Sequence, residues 1–159
     1  MSNVLVMFQA NTEHTEQMAL AVGVGAVEAE ANIRLRRLST PGAVEVAHKG
    51  YGKLQVADLL WANTVVVGLE SATPRLEELE GLISHLKEAD PEQLKDKQAW
   101  TFSPESLHTT RSEAQIFVES ALRVAGFMVL SSAIPTFGNK STDLDSLKRA
   151  GRFLANNSS

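Results

Sequence analysis

Apolar residues alternate along the chain between two patterns: short continuous runs and stripes at helical spacing. Val4-Leu5-Val6-Met7-Phe8 is a continuous run and predicts a strand buried on both faces. Polar residues occupy positions 9–15, after which Met18, Ala19, Ala21, Val22, Gly25, Ala26 and Ala29 recur as one helix face. Gly23 and Gly25 cost helix propensity, and we read them as close-packing points against the sheet. Asn32 to Leu38 predicts the second strand. Pro41, Gly42, Gly50 and Gly52 mark a loop from Ser39 to Gly52, in which Val44 and Val46 suggest a short strand. Leu54 to Trp61 reads as a short helix, and Thr64-Val65-Val66-Val67-Gly68 as the clearest strand, because consecutive valines suit a pleated sheet.

Pro74 opens a further helix with Leu76, Leu79, Leu82, Ile83 and Leu86 on one face. The charged stretch from Lys87 to Lys97 reads as a surface connection to a fourth strand, Gln98 to Phe102. A helix from Ser112 to Val124 carries Ala114, Phe117, Val118, Ala121 and Leu122 inward and ends at Gly126, before a strand from Phe127 to Leu130. The last helix, from about Asp143 to Ala155, presents Leu144, Leu147, Ala150, Phe153 and Leu154. This order, β-α-β-(α)-β-α-β-α-β-α, forces parallel pairing, since each helix returns the chain across the sheet in a right-handed crossover. No repeat or linker interrupts it, so residues 1–159 read as a single α/β domain.

Composition narrows the function classes. A formal net charge of -4 leaves no basic stripe for nucleic acid. No apolar run reaches membrane-spanning length and the first residues lack the order of a signal peptide, so the expectation is a cytoplasmic protein with no membrane partner. Cysteine is absent, which removes disulfides, thiolate catalysis and cysteine-ligated metals. His48 and His85 have no second ligand at metal-binding spacing, and no nucleophile–base pair stands out, so neither a metal site nor a catalytic side chain is expected. Glu77, Glu78 and Glu80 read as the wet face of a helix, and Trp61 and Trp100 as packing residues.

Ligands of open parallel sheets bind outside the carboxyl ends of the strands. The segment Ala10-Asn11-Thr12-Glu13-His14-Thr15 lies there, between the first strand and helix, where free N–H groups and two hydroxyls suit a phosphate; equally, Thr12 serves as a simple helix cap. Asn11 to Ala19, NTEHTEQMA, resembles the phosphate loop of the flavodoxin family, Ser-x-Thr-Gly-Asn-Thr-x-x-Met-Ala, with matches at Thr12, Thr15, Met18 and Ala19. Asp58-Leu-Leu-Trp-Ala-Asn63 through Gly68 is similar to the third-strand region of the family's reductases, and Leu147 to Ala155 to its last helix. The resemblance implies a flavodoxin-like three-layer sandwich with a five-stranded parallel sheet in the order 2-1-3-4-5. It also implies FMN as cofactor, with flavin contacts from Ala10, Asn11, Thr12, Glu13, His14 and Thr15, from Ser71 and Ala72, and from Phe102, Ser103 and His108.

The implied activity is that of an electron carrier or a small NAD(P)H-dependent quinone or FMN reductase, with NAD(P)H or a quinone as partner and homo-oligomerisation left open. The sequence departs from the family at each loop. Ala10, Glu13 and His14 replace its Ser, Gly and Asn; the loop after Gly68 has no aromatic ring; and the loop after Phe102-Ser103 lacks glycines. A carboxylate at position 13 facing a phosphate would cost on the order of 1–4 kcal/mol, but little if turned to solvent. His108 can reach a ring edge or donate a proton; the plain alternative is a solvent-exposed loop histidine. The second function class is a flavodoxin-fold module that has lost flavin and serves interaction or regulation.

Overall fold

The computed structural model describes residues 2–9, 13–38, 52–70, 74–103, 112–130 and 144–157. Five strands form one sheet: β1 (Asn3–Gln9), β2 (Asn32–Leu38), β3 (Thr64–Gly68), β4 (Gln98–Phe102) and β5 (Met128–Val129). All neighbours are parallel, in the order β2-β1-β3-β4-β5. Helices α1 (Glu13–Glu28), α2 (Val56–Trp61), α3 (Leu76–Glu88), α4 (Pro91–Leu94), α5 (Glu113–Ala125) and α6 (Leu144–Asn157) connect and cover it. The order of elements is the one the periodicity predicts, with one addition.

The continuous apolar runs are explained by burial on two sides. Leu5 and Met7 of β1 and Val65 and Val67 of β3 enter one core with Leu59, Leu79, Leu82, Val118 and Leu122. The alternating residues Val4, Val6, Phe8 and Val66 enter the second core with Met18, Val22, Leu147 and Leu154 of α1 and α6. Trp100 lies in that second core, as expected. Each such fully buried side chain contributes roughly 1.5–3 kcal/mol of hydrophobic stabilisation.

Several details differ from the sequence reading. The connection from Lys87 to Lys97 contains α4, capped by the Asp90 side chain, which accepts the Glu92 N–H at 3.0 Å, and its Leu94 is fully buried. One apolar residue within a charged stretch carries too weak a period to announce a helix. Periodicity points Leu76, Phe117, Leu144 and Phe153 inward, yet all four are exposed, because each stands at the margin of its stripe. The predicted strand at Val44 and Val46 lies outside the described residues. Gly23 does face the sheet, where an added Cβ would sit 3.3 Å from Ile33. Gly25 instead faces α6: a Cβ there would lie 1.9 Å from the Lys148 carbonyl oxygen, and one on Gly151 would lie 2.1 Å from that of Val22. Helices α1 and α6 therefore cross backbone to backbone, which only glycine permits. Gly126, at φ 110°, ends α5 as its position predicts.

Candidate functional site

Because every strand is parallel, Gln9, Leu38, Gly68 and Phe102 end on one edge of the sheet. The chain passes from β1 outward to β2 and then returns to the other side of β1 as β3, so strand order reverses between β1 and β3. Crevices at such reversals are where ligands of doubly wound folds settle.

Helix α1 begins at this edge, four residues after β1 ends. Its first-turn N–H groups have no helical acceptor, and the helix dipole adds positive potential. Glu13 and His14 are exposed, whereas Thr15 and Glu16 are buried and hold partners. The Glu13 carboxylate thus takes the solvent-facing alternative, in which it opposes a phosphate weakly. Met18 and Ala19, fully buried below, anchor the turn on the second core.

Between the ends of β1 and β3 lies a polar network that the sequence did not announce. The Gln9 amide oxygen accepts the Glu70 backbone N–H at 2.7 Å, while its amide nitrogen donates to a Glu78 carboxylate oxygen at 3.1 Å. Arg75 donates to the Glu70 carboxylate at 3.2 Å and stands 3.6 Å from that of Glu78. Gln9 and Glu70 are buried, so these bonds replace water that the edge would otherwise need. The available signal was Gln9 itself, a polar residue extending an otherwise apolar strand.

At β3 and β4 the backbones are also tied, Leu69 N–H donating to the Phe102 carbonyl at 2.9 Å. The Phe102 ring lies over Gly68, where a Cβ would come within 2.5 Å of it, and packs 5.9 Å from Trp100. That ring is committed to the second core, so what Phe102 offers the edge is backbone. Ser103 is buried and partnered. The start of α5 is pinned beneath: Ser112 and Gln115 form a capping box, and Gln115 also donates to the Thr101 hydroxyl at 3.2 Å. Thr101 in turn donates to the buried Glu119 carboxylate at 2.6 Å.

Glu13, His14, Thr15, Phe102 and Ser103 therefore lie along one edge of the sheet. Ala10, Asn11, Thr12, Ser71, Ala72 and His108 lie outside the described residues. Trp61 packs under the Arg34 guanidinium, 4.3 Å from its ring centre, well away from this edge. Among the described residues no group of three His, Asp or Glu side chains is placed to hold a metal ion, and no helix is long and apolar enough to cross a membrane.

No protein-family model matches the chain. Among characterised proteins, the NAD(P)H dehydrogenase (quinone) of Methylocella silvestris is 35% identical over 75 residues, covering 43% of this chain and 38% of that protein. The match spans well under half of that relative's length. Among solved structures, a flavodoxin from the domain Archaea superposes with a TM-score of 0.69 at 18% identity, covering 98% of this chain and 97% of the other. A WrbA-like flavodoxin protein from Agrobacterium tumefaciens gives 0.62 at 20% identity, with 99% and 98% covered. Flavodoxin 2 from Bacillus cereus gives 0.62 at 15%, with 98% and 99% covered. The strand order and these full-length superpositions give the chain the flavodoxin-like fold.

Proposed function

We propose that this flavodoxin-like chain binds a flavin mononucleotide at the β1–β3 switch point and works as a redox protein, either an electron carrier or a small NAD(P)H-dependent quinone or FMN reductase. The observation that carries this reading is the placement of α1: it opens on the switch-point edge with Glu13 exposed, where the helix dipole favours an anion. The helix start suits the phosphate end of the cofactor, the α1 dipole facing the phosphate while Thr15, buried and partnered, fixes the turn. When bound, the flavin supplies the electron or hydride chemistry, and the protein supplies position and electrostatics. The β3–β4 junction at Gly68 and Phe102 is the neighbouring floor, and the buried Glu70 carboxylate, held by Arg75, makes that side unfavourable for a phosphate. The phosphate is thereby directed to α1.

The purified protein, incubated with FMN and desalted, is expected to retain visible flavin absorption and to quench flavin fluorescence. A colourless product with unquenched fluorescence refutes the reading and favours an interaction module of the same fold. If FMN binds, reduction of a quinone or ferricyanide with NADPH separates a reductase from a carrier.

A further inference from the structure

We propose that Arg37 supplies the positive charge that holds the ligand's phosphate at the start of α1, a role that rests on the flavin-nucleotide reading above. Strand β2 carries three arginines, and alternation divides them between the two faces of the sheet. Arg34 and Arg36 lie on the α2 face, both on the Asp58 carboxylate at 3.0 Å. Arg37 is the register partner of Phe8, and partners in a ladder share a face. Phe8 packs with Met18 and Ala19, so Arg37 stands on the α1 side, one residue before β2 ends.

Its height along α1 follows from Gly23, which faces Ile33 and Leu35. Arg37 is the next β2 residue on that face, about 7 Å closer to the switch-point edge than Leu35. Helix α1 returns the chain from that edge, so a similar advance along it, at about 1.5 Å per residue, reaches about Met18, roughly 7 Å from the helix start and within the span of an extended arginine side chain.

Arg37 also lacks what the other described arginines have. Arg75, Arg123 and Arg152 face Glu70, Glu119 and Glu28, and Arg149 has a partner of its own. The Arg37 Nε–H is buried with no acceptor, and among the described residues no carboxylate pairs with the side chain. A buried guanidinium N–H without an acceptor is costly, and a phosphate oxygen would satisfy it. The first turn of α1 supplies the complementary need. A dianion at that turn, which carries Glu13 and Glu16, gains from a cation on the same face.

FMN and riboflavin differ only in the phosphate, so titrating both distinguishes this contact from a general effect on the fold. Arg37→Gln, with an unfolding curve like that of the parent, is expected to weaken FMN by at least about tenfold and riboflavin by less than about twofold. Arg37→Lys, which keeps the charge but not the fork, is expected to fall between; should the Gln variant fail to fold, it carries the same comparison with at least about threefold lost for FMN alone. Equal losses for both flavins, or none for FMN, overturn the proposal while leaving flavin binding intact. If the parent binds neither flavin, the functional reading fails and inorganic phosphate decides Arg37. A phosphate-dependent rise in Tm that Arg37→Gln abolishes supports the contact; the same response in both proteins, or none in either, overturns it.

Discussion

Removing the Asp58 carboxyl should be the most damaging single polar change outside the candidate site. Its oxygens accept from Arg34 at 3.0 Å, from Arg36 at 3.0 and 3.1 Å, and from the Gln55 backbone N–H at 2.9 Å, where Gln55 and Asp58 form the capping box of α2. Burial raises the pKa of this carboxyl, but the Gln55 amide and the Arg36 and Arg34 guanidiniums outweigh burial and hold it below its ordinary value of 3.8. Losing one partner of a fully buried ion pair costs about 3–5 kcal/mol, and losing a helix cap about 0.5–2 kcal/mol. The arginine side chains keep 35% and 26% of their exposure, so water recovers part of the charge term. Asp58→Ala is therefore expected to cost about 2–4 kcal/mol in urea unfolding, and Asp58→Asn less, because its amide oxygen can still cap. The sign of the pH effect follows from the direction of the shift. A carboxyl whose folded pKa is depressed contributes stability that is fully present above its unfolded pKa and is lost as pH falls through the folded value. The stability gap between parent and Asp58→Asn should then be widest above about pH 5 and shrink steadily toward pH 2. An Asp58→Ala protein within about 0.5 kcal/mol of the parent, or a gap independent of pH, would refute the reasoning.

The α1–α6 crossing makes a second prediction. Gly151→Ala puts a Cβ 2.1 Å from the Val22 carbonyl, so an overpacking cost of about 1–3 kcal/mol or more should outweigh the gain of about 1 kcal/mol in helix propensity. Gly25→Ala should act alike, and the double variant should lose less than the sum, since one helix displacement relieves both clashes. Gly81→Ala in α3, with nothing within 4 Å, should stabilise by about 0.5–1 kcal/mol; denaturant curves for the four proteins check all of this. At the candidate site, Glu13 is exposed, so Glu13→Gln should change FMN affinity by less than about fivefold, near the 1 kcal/mol of a charge 4 Å away in water. A larger gain in a flavin titration would mean that the carboxylate turns onto the phosphate in the complex.

What the sequence disclosed and what it withheld separate along physical lines. Strands β1 and β3 were legible because burial on both faces leaves unbroken apolar runs, and their ends mark the edge of the candidate site. Gly126 was legible because a helix stop needs a positive φ that glycine provides. The Gln9–Glu70–Arg75–Glu78 network was not, because its members are separated by up to 69 positions and none has a periodic signature. Gly25 was seen as a close-packing residue but given the wrong neighbour: periodicity reports that a face is crowded, not which element crowds it. Helix α4 was hidden for the opposite reason, its one core residue lying among charges.

The same network gives this edge of the sheet a polarity that no single loop motif would reveal. On the β3 side, buried Glu70 and the carboxylate of Glu78 surround the Gln9 amide, with Arg75 already spent on both. A dianion arriving there would meet two carboxylates and displace the one cation from its partners. On the α1 side the carboxylate of Glu13 faces water, buried Glu16 is already partnered, the helix dipole points the right way, and Arg37 stands without a carboxylate among the described residues. The proposed flavin nucleotide is accordingly expected to set its phosphate toward α1 and its ring toward the Gly68–Phe102 junction. Such a preference would rest on where the fold places its helix dipole, cations and carboxylates rather than on a sequence motif.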